Sequence, residues 1–584
     1  MSAPTVPQSA LRLPTDLHDA VGAVMTRAVA ERWAERLWQR DTSLWTDDAA
    51  VGELIGQRLG WLDVPAHFSN EIETLEAFSQ SVRGEGFDGA VVCGMGGSSL
   101  APEVLARSFP LADAGLRVRV LDSTDPQAVS AAQSAFDPAR TLYIIATKSG
   151  TTTESLSFLA HFWHVEDDLH ADIPQTVAGQ HFVAVTDPGK PLSAIPHSDL
   201  FREVFLNPVD VGGRYSALTY VGLVPAALMG LDLRHLLDDA LQMAEWCREP
   251  SAVNPGLWLG AALAALARAG RDKLTFVIEP RISSFAAWAE QLVAESTGKR
   301  GLGMVPVVGE PLTAPGLYGD DRVFVRLGGR ADDDWWSVTD ARLDELAAAG
   351  HPVIDLATPP ADGDGLGAEF FRWQFATAIC GAGLGVNPFD EPNVTESKQN
   401  TTRVLAEFRR NGALPVAEPL LVAEPLTLYG DVARRLTNAE PGSIADELRA
   451  HLGRARAAAY ICVQAYVAPT PERDAALASI QQLLRDGTRR ATTVGYGPRF
   501  LHSTGQLHKG GPPSGCFVQL TCGHPLDVEI PDIKETFGTL IDAQALGDFG
   551  ALEAHDLPVL NVHLGDDADA GLAALRDALA QAVG

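Results

Sequence analysis

Apolar side chains recur at three- and four-residue spacing through VGAVMTRAVAERWAERLWQRD from Val21 and ELIGQRLGWL from Glu53, which predicts a run of helices near the start of the chain. From residue 88 the pattern changes. Short apolar runs at Gly89 (GAVVC), Val118 (VRVL), Thr141 (TLYIIAT), Phe182 (FVAVT) and Glu203 (EVFL) alternate with helical periodicity. Strand, turn and crossover helix in repetition predict a doubly wound parallel sheet, with the loops at its strand carboxyl ends facing one crevice. The alternation resumes near Pro255 with KLTFVI, DRVFVRL and PVIDLAT as strands and SSFAAWAEQLVAEST as a helix. A glycine-rich break at 381–385 then leads through Asn387 and Pro388 into a helix carrying Lys398. NGALPVAEPLLVAEPL reads as a linker, and AYICVQAYV, RATTVGYG, GCFVQLTC and PVLNVHLG give a further α/β piece. The expected organisation is a helical N-terminal layer (1–87), two α/β domains (88–245 and 246–408) and a C-terminal α/β domain (409–584).

At 584 residues the chain is too long for one core, in keeping with several domains. Its apolar stretches, such as LWLGAALAALA at Leu257, fall short of a membrane span. The first residues have neither a basic nor an apolar signal segment, and six scattered cysteines follow no ligand or disulfide spacing. A cytoplasmic protein with reduced thiols is expected. A formal charge of −30 disfavours nucleic acid and anionic membrane as partners. In so acidic a chain, an anionic metabolite must be held by a local cluster of cations and dipoles.

Such a cluster stands at ATKSGTTTES from Ala146, between an apolar strand and a helix. Backbone N–H groups at a helix start carry partial positive charge; Thr147, Ser149 and Thr152 add hydroxyl donors and Lys148 a point charge. Read alone, the same turn is a hydroxyl-rich helix cap with a solvated lysine. GMGGSS at Gly94 is a poor dinucleotide loop, because Ser99 takes the place of its last glycine. Gly212 and Gly213 permit a sharp turn that sets Arg214 at the mouth of an apolar helix, as a functional cation or a surface cap. Trp288, Leu292 and Glu295 share one helical stripe, so Glu295 ends an inward face as a candidate base, unless it pairs with Lys299 one turn on. FLHSTGQLHKGGPPSG from Phe500 reads as a loop holding His502, Gln506, His508 and Lys509. HExxH, clustered Cys/His ligands and GxSxG are all missing from the sequence, so metal and triad-hydrolase chemistry have no support there.

GMGGSSL at Gly94, TKSGTTTES at Thr147, DVGGRYSALTYVGL at Asp210, QLVAESTGK at Gln291 and GVNPFDEPNVTESK at Gly385 together resemble, in order, the phosphoglucose isomerase family of paired sugar-isomerase (SIS) domains. The remainder resembles the isomerase part of proteins that fuse it to a transaldolase. The resemblance implies an aldose-ketose isomerase acting on glucose 6-phosphate and fructose 6-phosphate without cofactor or metal, in a family that is habitually dimeric. It implies phosphate binding by Thr147, Lys148, Ser149 and Thr152, sugar contact at Gly97 and Ser98, proton transfer by Glu295, enediolate stabilisation by Arg214 and assistance at the ring end by Lys398. Glu391 stands where the family has glutamine. The ring-opening histidine is missing from its usual place before that motif, and His502, in an HSTGQ segment, is the expected replacement. Related readings are an isomerase of mannose 6-phosphate or of a 6-sulfo sugar such as sulfoquinovose, and a non-catalytic sugar-phosphate sensor.

Overall fold

Three sheets are built from the alternating runs. The computed structural model describes residues 10–113, 115–170, 176–328, 334–357, 365–435 and 442–584. In the first sheet five parallel strands lie in the order Arg117–Leu121, Gly89–Gly94, Thr141–Ala146, Phe182–Thr186, Glu203–Leu206. Gly89–Gly94 and Thr141–Ala146 are buried throughout, which is why their sequences show no polar alternation. From these two neighbours the chain crosses to opposite sides, through helices Leu100–Ser108 and Thr153–Leu169. The crevice outside their carboxyl ends is therefore the topological switch point, where open α/β sheets take ligands.

The second sheet has Val353–Ala357, Arg322–Gly328, Lys273–Ile278 and Val305–Val307 in parallel, with the two-residue strand Leu11–Arg12 antiparallel at one edge. Helix Leu366–Leu384 runs straight through the stretch expected to break at 381–385 and stops at Gly385, whose φ of 72° closes the last turn. The glycines inside it serve packing instead. A Cβ on Gly383 would lie 2.4 Å from that of Ala264, closer than packed carbons can come.

The third sheet has the order Leu421–Ala423, Leu426–Gly430, Val559–His563, Gly515–Thr521, Tyr460–Tyr466, Ala491–Tyr496. Its first strand lies in the expected linker and its second begins at the linker's last residue; they form an antiparallel hairpin on Val559–His563, burying Leu426, Leu428 and Gly430 in alternation. Glu424 and Pro425 interrupt that alternation in the sequence and hide it. This domain is no appendage. Phe537 and Leu540 share a cluster with Phe158 and Phe162 of the first domain, Phe158 and Phe537 stacking at 5.9 Å. Leu507, Tyr460 and Phe517 pack with Ala294, Val305 and Val307 of the second. Among the described residues no helix is long and apolar enough to cross a membrane, and all six cysteines are free and buried.

Near the carboxyl end of helix Thr153–Leu169, Glu166 is fully buried. Burial pushes its carboxyl from 4.5 up to about 8, against the opposing pull of the Tyr143 hydroxyl. A raised carboxyl pKa means that the proton stabilises the fold fully below the unfolded value and that this contribution is lost as pH rises through about 8. Glu166→Gln is accordingly expected to change the melting temperature little near pH 5 and to raise it near pH 9. Thermal unfolding across that range checks it; equal shifts at both ends would refute the assignment.

Candidate active site

The crevice of the first sheet is a cavity of about 360 Å³. Gly96, Gly97 and Ser98 reach it from one strand end, and Lys148, Ser149 and Thr152 from the next. Arg214, Glu295, Glu391, Lys398 and His502, all expected from the sequence, also line its wall, together with Gln291, Arg58 and Asp187, which were not. Thr147 lies beneath this wall, buried; its hydroxyl donates to that of Thr152 at 3.0 Å, and its carbonyl accepts from Thr186 at 2.7 Å.

At one end the turn after Thr141–Ala146 opens helix Thr153–Leu169, whose N-cap Thr152 makes no side-chain capping bond. First-turn N–H groups without a cap are available to an anion. Gly150, at φ 68°, allows the turn to lie against the chain at Pro191. The Lys148 ammonium is ion-paired with Asp187 and donates to the Val209 carbonyl at 3.3 Å. The point charge expected from the sequence is thus partly offset by a carboxylate before any anion arrives.

The glycine loop is held by close approach. A Cβ on Gly97 would come within 2.2 Å of the Gly213 carbonyl oxygen, and one on Gly96, at φ 54°, within 2.5 Å of the His502 carbonyl oxygen. These contacts bring the loop at 96–98, the Arg214 turn and the His502 segment together.

Arg214 is buried at 5% exposure and each of its three side-chain nitrogens makes a hydrogen bond. Its Nε donates to Ser296 Oγ at 2.8 Å, one terminal nitrogen to the Pro388 and Asp390 carbonyls at 2.9 Å each, and the other to Glu391 at 3.1 Å. That last nitrogen lies 3.4 Å from Glu295 Oε1. Gln291 donates to Glu295 Oε2 at 3.2 Å and to the His502 carbonyl at 2.7 Å. Burial raises the Glu295 carboxyl above its ordinary range, with Arg214 pulling down and Glu391 pushing up. For Glu391, burial is outweighed by the charge and hydrogen bond of Arg214, and the carboxyl falls below its usual range. Lys299 is not the partner of Glu295; it binds the Asn387 carbonyl at 2.5 Å and Asp390 at 2.9 Å.

His502 Nε2 lies 3.0 Å from Glu154 Oε1. Gln544 donates to the same oxygen at 2.7 Å and accepts from Thr124, also at 2.7 Å, so the carboxylate that orients the imidazole is itself oriented. Burial pushes the Glu154 carboxyl up, but His502 outweighs it and the carboxyl ends below its ordinary range. Lys398 is exposed, lines the cavity, and adds its charge to the same end. Glu154, missing from the residues expected of TKSGTTTES, stands in the first helical turn, a position the sequence alone makes visible. Nor is the His502 segment merely a loop: a 3-10 turn, Arg499–His502, precedes helix Gly505–Gly510. His508 is buried away from the cavity near Cys462, and Lys509 is paired with Asp548 at 2.6 Å. Gln506 ties the segment to Asn393 and the Gly298 carbonyl at 2.9 and 3.0 Å. Two side-chain sets, Asp125 with Cys522 and His524, and Glu166 with His170 and His181, bring ligand-type atoms within 4.8 Å of one another, outside this cavity.

Comparison with known proteins bears on the same segments. The family described as Phosphoglucose isomerase matches residues 59–320. A glucose-6-phosphate isomerase of Rubrobacter xylanophilus is 30% identical over 396 residues, spanning 60% of this chain and 90% of the relative. The chain belongs to the phosphoglucose isomerase family. A second glucose-6-phosphate isomerase, from Thermus thermophilus, is 30% identical over 397 residues, with 60% and 91% coverage. Among solved structures, a hypothetical protein of Thermus thermophilus is similar at 26% identity and TM-score 0.53, over 68% of this chain and all of that one. A glucose-6-phosphate isomerase of Chlamydia trachomatis shares the fold at 18% identity and TM-score 0.52, over 67% of this chain and 86% of that one. The family match spans the whole first sheet and the strands Lys273–Ile278 and Val305–Val307 of the second.

Because the Gly97 approach leaves no room for a methyl group, Gly97→Ala must move the Gly213 carbonyl and with it the Arg214 turn. We expect a loss of about 1–3 kcal/mol in chemical denaturation, the usual cost of overpacking; a variant as stable as the parent would show that the loops can part freely.

Proposed function

We propose that the chain interconverts glucose 6-phosphate and fructose 6-phosphate through a cis-enediolate. The observation that carries this reading is one buried carboxylate, Glu295, beside a hydrogen-bonded arginine, Arg214, in a cavity that also opens on the uncapped helix start at Thr152. The relatives named glucose-6-phosphate isomerase support it.

The roles follow from the chemistry. Thr147, Lys148, Ser149 and Thr152 form the phosphate end, with Thr147 supporting the Thr152 hydroxyl from below. Gly97 and Ser98 lie against the sugar, and remote binding energy at the phosphate fixes its first carbons. His502, oriented by Glu154, and Lys398 move the proton that opens the ring. Glu295 then takes the C2 proton and returns it to C1, while the hydroxyl hydrogen passes between O2 and O1. A basicity raised by burial suits a base that must accept a weakly acidic C–H proton. Arg214, whose nitrogens are already hydrogen-bonded, offsets the negative charge that develops on oxygen through the field of its guanidinium. Glu391 holds Arg214 in place and is the polar contact where the family has glutamine. A place in glycolysis, a cytoplasmic location and a dimeric assembly belong to the same proposal; light scattering after size exclusion measures the last.

In a coupled assay of glucose 6-phosphate formation from fructose 6-phosphate, Glu295→Gln is expected to lower kcat by about a hundred- to ten-thousand-fold and to abolish solvent deuterium incorporation at C2. Binding without turnover by the native protein would favour a sensor, and faster turnover of mannose 6-phosphate or a 6-sulfo sugar would replace the substrate. His502→Ala is expected to lose about a hundred-fold on the cyclic sugar. Unchanged turnover in that variant would assign ring opening elsewhere.

A further inference from the structure

We propose that Arg58 supplies the positive charge that draws and holds the phosphate of the substrate, a role that rests on the isomerase reading above. The cavity wall carries four cationic side chains, Arg58, Lys148, Arg214 and Lys398, and three carboxylates, Asp187, Glu295 and Glu391. Two of the cations are committed. Lys148 is paired with Asp187, and Arg214 lies against both Glu295 and Glu391. Arg58 and Lys398 remain, and they stand at different ends. The charge of Lys398 bears on Glu154, the partner of His502, whereas that of Arg58 bears on Asp187 and Glu391. Arg58 immediately precedes the chain that lies on 210–211, next to the Val209 carbonyl that Lys148 reaches, which sets it on the side of Lys148 and the hydroxyl turn.

Among the described residues the Arg58 side chain makes no hydrogen bond or ion pair. Its backbone, by contrast, is fixed. Leu59 bridges Val211, and the Gly60 N–H donates to the Asp210 carbonyl at 2.9 Å. A Cβ on Gly60 would sit 2.2 Å from Asp210 Oδ1, so the two segments lie in contact. The neighbouring Val209 carbonyl is the one that Lys148 reaches. An arginine placed by two such contacts, half-buried at a cavity and left without an acceptor, is suited to an oxyanion that arrives from outside. The charge balance points the same way. Without Arg58 the cationic and acidic side chains of the wall cancel, in a chain whose net charge is −30. A phosphate dianion would then meet no net attraction beyond helix-start N–H groups and hydroxyls.

The test is steady-state kinetics of Arg58→Ala and Arg58→Lys, with inorganic phosphate as competitive inhibitor. For Arg58→Ala we expect KM for fructose 6-phosphate and Ki for inorganic phosphate to rise together by about 10- to 100-fold, the usual worth of a charged hydrogen bond. The kcat should stay within about 3-fold, a ratio too small to register as a lost transition-state contact. Arg58→Lys should recover part of both constants, and the dependence of KM on salt should flatten in the alanine variant. Unchanged KM and phosphate Ki would overturn the proposal, as would a fall in kcat at constant KM. If the parent turned over no sugar phosphate, the isomerase reading would fail. Arg58 would still be tested by direct calorimetric titration of inorganic phosphate into parent and Arg58→Ala, where equal affinities would refute it.

Discussion

A guanidinium cut off from water must find an acceptor for each N–H group, because an unpaired buried donor forfeits its hydration with nothing in return. Arg214 meets most of this demand with hydrogen bonds to two other pieces of chain, Ser296 on helix Phe285–Thr297 and Glu391 with the Pro388 and Asp390 carbonyls in the turn after helix Leu366–Leu384, and lies 3.4 Å from Glu295. A crossover helix of the second sheet and the chain that leaves it are thereby pinned to the switch point of the first. The segment that carries Arg214 is held in turn by Gly97, whose bare backbone lies against Gly213. One charged side chain thus fixes where the base can stand relative to the strand ends.

The third domain enters through the same network. Gln291, one turn before Glu295 on the helix, donates both to the carboxylate and to the His502 carbonyl, so base and imidazole are registered through a single amide. Gln506 repeats the device one helical turn later in the chain, bonding to Asn393 before the Lys398 helix and to the Gly298 carbonyl after the Glu295 helix. Apolar packing gives these bonds their rigidity, since Leu507 is buried with Ala294 and Val305. A side chain supplied from a distant domain can hold a sub-ångström position only when its own segment is packed on both sides. The His502 segment meets that condition with the first domain at Gly96 and the second at Gly298.

Much of this was legible in residues whose meaning is local. Apolar runs marked the parallel strands, glycines and hydroxyls marked the turns at 94–99 and 147–152, and the stripe ending at Glu295 marked its inward face. What stayed hidden depends on partners far along the chain. The charge of Lys148 is taken up by Asp187, and the solvated or functional choice at Arg214 is decided by carbonyls more than a hundred residues away. Glycine also misleads when read as a breaker. In helix Leu366–Leu384 it permits close approach to Ala264. The edge hairpin at 421–430 escaped because so short a strand shows its alternation only against Val559–His563.

The two carboxylates around Arg214 divide the work that one could not do. Both are drawn to the same guanidinium, yet Glu391 receives a hydrogen bond from it at 3.1 Å, whereas Glu295 stands at 3.4 Å and takes its bond from the neutral Gln291 amide. Glu391 is also the more exposed of the two, at 40% of its side chain against 9%. Their affinities for protons are therefore pushed apart, Glu391 below the carboxylate range and Glu295 above it. Of two acids in one cavity, the one held above its ordinary range is the stronger base. Placing a carboxylate at Glu391 adds a negative charge to the site and, by engaging the arginine, leaves the basicity to Glu295.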